Sequence, residues 1–258
     1  MQTKKLHLKN VTKSFGGRKV VDVADQSMGT HGIEGLIGPN GAGKTTLINL
    51  ITHKLKMDHG QVLYYENGNE IDITGKPIDE IAQHGMVRTN QIIQDFESLT
   101  IMDSLLLSLA SPQYERFYNV FSEKQLREET KAEIQEYLDY FHFDNPNGHA
   151  LSAGEKKLLD IIRCMLLKPK VLLMDEPTCG LPQDQTERVI DLMRKKAKEE
   201  GMSILIVEHD LDLIWGVSEN VYFMAEGQIQ IQGPPSEVRK NKTVVEKYCG
   251  ESYGGGEC

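Results

Sequence analysis

Residues 38–45 read Gly-Pro-Asn-Gly-Ala-Gly-Lys-Thr and fill the pattern G-x-x-x-x-G-K-[ST] at every fixed position. The apolar run IEGLI precedes them and TTLINLI follows. Strand, glycine loop and helix in that order commit the chain to an α/β architecture, because a helix leaving a strand must pack back on a sheet. Gly38, Gly41 and Gly43 permit the tight turns that aim successive amides at one anion, and Pro39, Asn40 and Ala42 complete the loop. Lys44 is expected to reach the β- and γ-phosphates of a nucleotide and Thr45 to place its hydroxyl on Mg²⁺. Thr46 is expected to open a helix whose dipole favours the anion.

VLLMDEP at 171–177 supplies a second chemical element. A short unalternating apolar strand ends there in two acids. In open parallel sheets, ligands sit at the carboxyl ends of strands. Asp175 is therefore expected to hold Mg²⁺, and Glu176 to polarise the water that attacks the γ-phosphate. Pro177 cannot continue a strand ladder and stops it.

The remaining chain falls into three textures. Leu6–Val11, Val20–Val23, Ile33–Ile37 and Gln61–Tyr65 read as strands separated by turn residues. Residues 92–150 lack β-rich runs. Within them SEKQLREETKAEIQEYLDYF reads as a helix with Leu126, Ile134, Tyr137, Leu138 and Phe141 inward. Residues 151–232 alternate helix and strand: an apolar helical spacing from Leu158 to Leu166, VLLM at 171–174, an amphipathic helix at 186–193 and ILIV at 204–207. Continuous apolar strands between helices mean a parallel sheet covered on both faces.

LSAGEKK at 151–157 carries two readings. Ser152 with Glu155 fits a capping box, and a glycine-containing helix start is also a phosphate site.

The net charge of −9 argues against broad electrostatic binding to nucleic acid. The longest greasy stretch, LLLSLA at 105–110, is too short to cross a bilayer. Four cysteines show no CxxC or His-linked metal spacing, the pattern of reduced cytosolic thiols.

On these residues the chain resembles the ATP-binding cassette (ABC) ATPases from about Leu6 to about Tyr248. Gly38–Thr46 matches the Walker A motif, Val171–Pro177 the Walker B motif with its glutamate, and Leu151–Glu155 the signature Leu-Ser-Gly-Gly-Gln. Gln91 falls at the Q-loop glutamine, His209 at the switch histidine and Phe15 at the aromatic that stacks on adenine. The resemblance implies ATP and Mg²⁺ as cofactors. Gln91 is then a Mg²⁺ and water contact, and His209 a hydrogen-bond partner of the γ-phosphate. Ser152, Ala153, Gly154 and Glu155 would clamp the nucleotide of a second cassette. Ala153 and Glu155 depart from the usual Gly and Gln, and Thr178-Cys-Gly-Leu-Pro182 departs from the usual D-loop.

RTNQ…FESLTIMDSL, the stretch after IVEHD and the ending VVEKYCGE are similar to branched-chain amino-acid importer ATPases. Lipopolysaccharide-export ATPases share much of this text, and LSAGEKK echoes the soluble ATPase of iron–sulfur cluster assembly.

The fold so implied is a P-loop NTPase (RecA-like) core with a mostly parallel sheet, an N-terminal antiparallel β subdomain and an inserted α-helical subdomain. Residues 1–258 form one ABC ATPase domain. Residues 1–91 and 160–248 make the nucleotide-binding core, 92–159 the helical subdomain with the signature, and 249–258 a flexible tail. The function implied is an ATPase that energises a membrane transporter of amino acids or a related small polar solute. It would work as a dimer of cassettes on the cytoplasmic face, docked to integral permease subunits and without nucleic acid.

Overall fold

The computed structural model describes residues 4–66, 68–89, 100–109, 123–143 and 151–249. It divides into two compact units. One takes the chain up to Arg88, Lys170–Glu176 and the residues from Met193 on; the other takes Thr89–Pro169 and Pro177–Leu192. The expected boundary at 159/160 would cut the helix Ala153–Leu166, which is continuous and lies whole in the second unit.

The first unit holds two sheets. A four-stranded antiparallel sheet has the order β2-β1-β4-β5, where β1 is Leu6–Phe15, β2 Arg18–Met28, β4 His59–Glu66 and β5 Asn69–Asp72. β1 and β2 run well past the expected Leu6–Val11 and Val20–Val23. Gly16 and Gly17, at φ 54° and 81°, turn the chain tightly, so Phe15 pairs with Arg18 directly across the hairpin. Polar residues on the solvated face of such a sheet dilute the apolar signal that marks a strand.

The second sheet has six strands in the order β10-β9-β3-β8-β7-β6. These are Gln228–Gly233, Asn220–Ala225, Ile33–Ile37, Ser203–Val207, Val171–Asp175 and Met86–Arg88. All neighbours are parallel except β10 on β9, and β3, β7 and β8 are buried at every position. That is the mostly parallel, doubly covered sheet that IEGLI, VLLM and ILIV imply.

Helix α1, Lys44–Ile51, lies in the core shared by the two sheets. Leu47, Ile48, Leu50 and Ile51 pack among Leu6, Val11, Leu36, Leu173 and Leu205. The helix starts at Lys44 rather than at Thr46. Gly43, left-handed at φ 104°, caps it and allows the chain to enter the helical conformation two residues earlier. Short helices complete this unit: α2 Ile78–Gln83 after β5, and α7 Leu211–Val217, α8 Pro235–Val238 and α9 Lys242–Cys249 after β8.

The second unit is helical. α3 (Ile101–Leu109) packs against α4 (Glu123–Tyr140) and α5 (Ala153–Leu166). Ile134, Tyr137, Leu138, Phe141, Leu159 and Ile162 are buried, as their spacing predicts, and Leu105 of α3 is buried as well. The Leu126 side chain lies outside what the structure describes. Tyr140 and Arg188 each donate to the other's backbone carbonyl, at 2.9 Å and 2.8 Å, which ties α4 to α6 (Gln183–Glu200).

Candidate nucleotide site

The site forms where the parallel strands end. β3 delivers Gly38, β7 delivers Asp175, and β8 leads to His209. Asn40 through Thr46, with Val20 and His209, line an open depression there.

The loop is held by hydrogen bonds from the chain itself. Ala42 N donates to Pro39 O at 3.2 Å, and Gly227 N donates to Ala42 O at 3.1 Å. Gly227 O accepts from Asp22 N at 2.8 Å, so the β9–β10 turn bridges the loop to β2. Glycine is needed here for closeness as well as for turning. A Cβ on Gly38 would stand 2.0 Å from Met224 O, and one on Gly43 2.5 Å from Val20 O. Gly41, at φ 78°, faces open space.

Lys44 is buried and folds back on the loop. Its Nζ donates to Gly38 O at 2.6 Å and to Pro39 O at 3.2 Å. Burial holds the ammonium below its ordinary pKa, and the nearby carboxylates of Glu176 and Asp175 push it back up. A phosphate arriving here would meet a cation already partly stripped of water. Tyr248, on α9, brackets the same Gly38 peptide: its hydroxyl accepts from Gly38 N at 2.7 Å and donates to Gly38 O at 3.0 Å. Burial pushes the Tyr248 phenol up, which keeps it a donor.

The acids take different positions. The Asp175 side chain is almost wholly buried, and its Oδ2 accepts from Arg88 Nη2 at 3.1 Å. Arg88 also donates to Asn49 Oδ1 on α1, so one guanidinium joins β6, β7 and the helix after the loop. Glu176 is half-exposed and sits at φ 51°, a region that side-chain-bearing residues rarely occupy. Its amide donates to Val207 O at 2.8 Å, and its carboxylate meets His209 Nε2 at 3.1 Å. This uncommon backbone conformation goes with a glutamate side chain that reaches the histidine.

Phe15 is an exposed ring at the end of β1, with the Lys13 ammonium 5.5 Å from its centroid. An exposed aromatic of this kind is a platform on which a base can stack. Gln91 lies outside the described residues. In the helical unit, Ser152 caps α5: Glu155 N donates to Ser152 Oγ at 3.2 Å, and Ser152 N to Glu155 Oε2 at 2.8 Å. The capping-box reading of LSAGEKK is thus present in full, and Glu155 turns back onto its own helix.

Arg88, Asn49, Gly227 and Tyr248 were not legible as site residues. A single arginine in RTNQ and a tyrosine 210 residues from its partner carry no local pattern. Among the described residues no group of three or more His, Cys, Asp or Glu gathers as a metal site. The oxygens of Asp175 and Thr45 suit a Mg²⁺ that keeps waters and takes further ligands from substrate phosphates.

Comparison with known proteins agrees with this geometry. Residues 24–179 match the family described as ABC transporter. The chain is 35% identical over 98% of its length, and 98% of the other's, to a probable branched-chain amino acid transport ATP-binding protein of Archaeoglobus fulgidus. It is 36% identical to the corresponding protein of Methanocaldococcus jannaschii, over 95% of this chain and 97% of that one. A crystal structure of the ADP conformation of an ATP-binding cassette from an ABC transporter superposes with a TM-score of 0.77 at 33% identity, covering 96% of this chain and all of that one.

Proposed function

The chain belongs to the ABC transporter family, and from that premise we propose that it is the ATP-hydrolysing subunit of an importer for branched-chain amino acids or a related small polar solute. The observation that carries the chemistry is that Lys44 and His209 line one depression with the glycine loop, while the Asp175 and Glu176 carboxylates act on the Lys44 ammonium and Glu176 pairs with His209.

Each residue has a role that its position supports. The loop amides and Lys44 hold the β- and γ-phosphates. Phe15 stacks on the base. Thr45, Asp175 and Gln91 would hold Mg²⁺, which neutralises charge on the phosphates. Glu176 accepts a proton from water as the water oxygen bonds to the γ-phosphorus. The bond to the β–γ bridging oxygen breaks, leaving ADP and inorganic phosphate. His209 sets the glutamate's direction and hydrogen-bonds the departing phosphoryl group.

Two cassettes work as a dimer, with the Ser152–Glu155 segment of each completing the nucleotide site of the other. No helix of the described residues is long and apolar enough to cross a membrane. Attachment to the cytoplasmic face would therefore come from permease subunits. Affinity purification of the tagged chain from detergent-solubilised membranes should recover polytopic membrane proteins in stoichiometric amount. Recovery of soluble partners alone would overturn the transporter assignment while leaving the ATPase chemistry intact.

A further inference from the structure

We propose that Tyr248 is a positioning residue for nucleotide binding: its hydroxyl keeps the Gly38 carbonyl satisfied when Lys44 leaves that carbonyl for phosphate. This rests on the reading of Lys44 as the phosphate-binding lysine.

Lys44 Nζ donates to two loop carbonyls, Gly38 O at 2.6 Å and Pro39 O at 3.2 Å. Moving the ammonium onto phosphate oxygens removes both bonds at once. A buried carbonyl left without a donor opposes that movement. Each of the two carbonyls, however, has a second donor standing by. Pro39 O keeps Ala42 N, at 3.2 Å, from within the loop. Gly38 O keeps the Tyr248 hydroxyl, at 3.0 Å, from the far end of the chain. The same hydroxyl accepts from Gly38 N at 2.7 Å, so the one phenol satisfies both halves of the Gly38 residue. The ring is fixed beside Phe223 on β9, with centroids 6.1 Å apart. Lys44 is thereby free to exchange a carbonyl for a phosphate without stranding the group it leaves.

A tyrosine that merely anchors α9 would weaken the protein equally with and without nucleotide. The proposed role instead couples Tyr248 to Lys44. Tyr248→Phe keeps the ring and removes the hydroxyl. The dissociation constant for ADP, measured by calorimetry, should rise on the order of tenfold in the otherwise unaltered chain, the effect of orphaning one buried acceptor. In a Lys44→Ala background the same change should shift it by less than about twofold, because no lysine leaves Gly38 O there. Equal effects in both backgrounds would reduce Tyr248 to a packing residue. If Lys44→Ala alone left ADP affinity unchanged, the phosphate-lysine reading itself would fail, an outcome distinct from the first. Hydrogen exchange on the unmodified chain gives a second measurement if Tyr248→Phe does not fold. The Gly38 amide should stay protected when ADP binds, and loss of protection would show that the tyrosine has let go.

Discussion

Glycines in the phosphate loop are not equivalent, although the motif writes them with one letter. A Cβ at position 38 would meet a backbone carbonyl at 2.0 Å, whereas position 41 opens on empty space. Gly38→Ala should therefore displace the loop from β9 and abolish detectable nucleotide binding. Gly41→Ala bears only the left-handed backbone penalty, about 1–2 kcal/mol, and should keep measurable binding. Fluorescent-nucleotide titration of the two variants, with thermal melts beside it, checks the ordering. Residues of the loop and the acids after VLLM were legible because contiguous chain presents them to one ligand. Arg88 and Tyr248 were not, because each acts through a neighbour brought close only by the fold. Arg88 meets Asp175 by strand pairing of β6 with β7, and Tyr248 meets Gly38 through the docking of α9.

Helix starts are the elements that a sequence spells most directly, since their partners lie within four residues. The capping box at Ser152 and Glu155 is present as the spacing implies. Ser152→Ala should lower stability by about 1 kcal/mol, read from chemical denaturation of the intact chain. Glu155→Gln should change it by less than about 0.5 kcal/mol, since glutamine serves at that position of the box as well. A large loss in the second variant would mean that the carboxylate's charge, rather than its hydrogen bond, holds the start of α5. The strands were less legible. β3, β7 and β8 stood out because both faces are buried, whereas β5 and β10 have no fully buried position and β10 alternates isoleucine with glutamine. The residues of β1 beyond Val11 are hidden because none of them is buried.

The molecule as a whole brings an exposed aromatic, an anion loop, two acids and a histidine into one nucleotide-binding unit, and carries the capped signature helix in the other. If these parts serve paired cassettes, hydrolysis and dimer lifetime are linked. Glu176→Gln keeps the backbone of Glu176 and its neighbours but removes the proton acceptor. ATP binding should persist while turnover falls on the order of a hundredfold or more. With ATP and Mg²⁺ the variant should then elute from a sizing column as a dimer; a strict monomer at high protein concentration counts against the pairing.

The order of the strands also has a temporal side. β3, which carries the phosphate loop, lies between β8 and β9, and Gly38 takes its hydroxyl partner from a residue 210 positions later. A chain made from its amino end presents the loop long before those supports exist. Pairings so distant also close slowly. During synthesis the most recognisable part of this sequence is therefore among the last to gain all of its supports. Full nucleotide affinity should therefore be reached only after α9, which carries Tyr248, has emerged and docked.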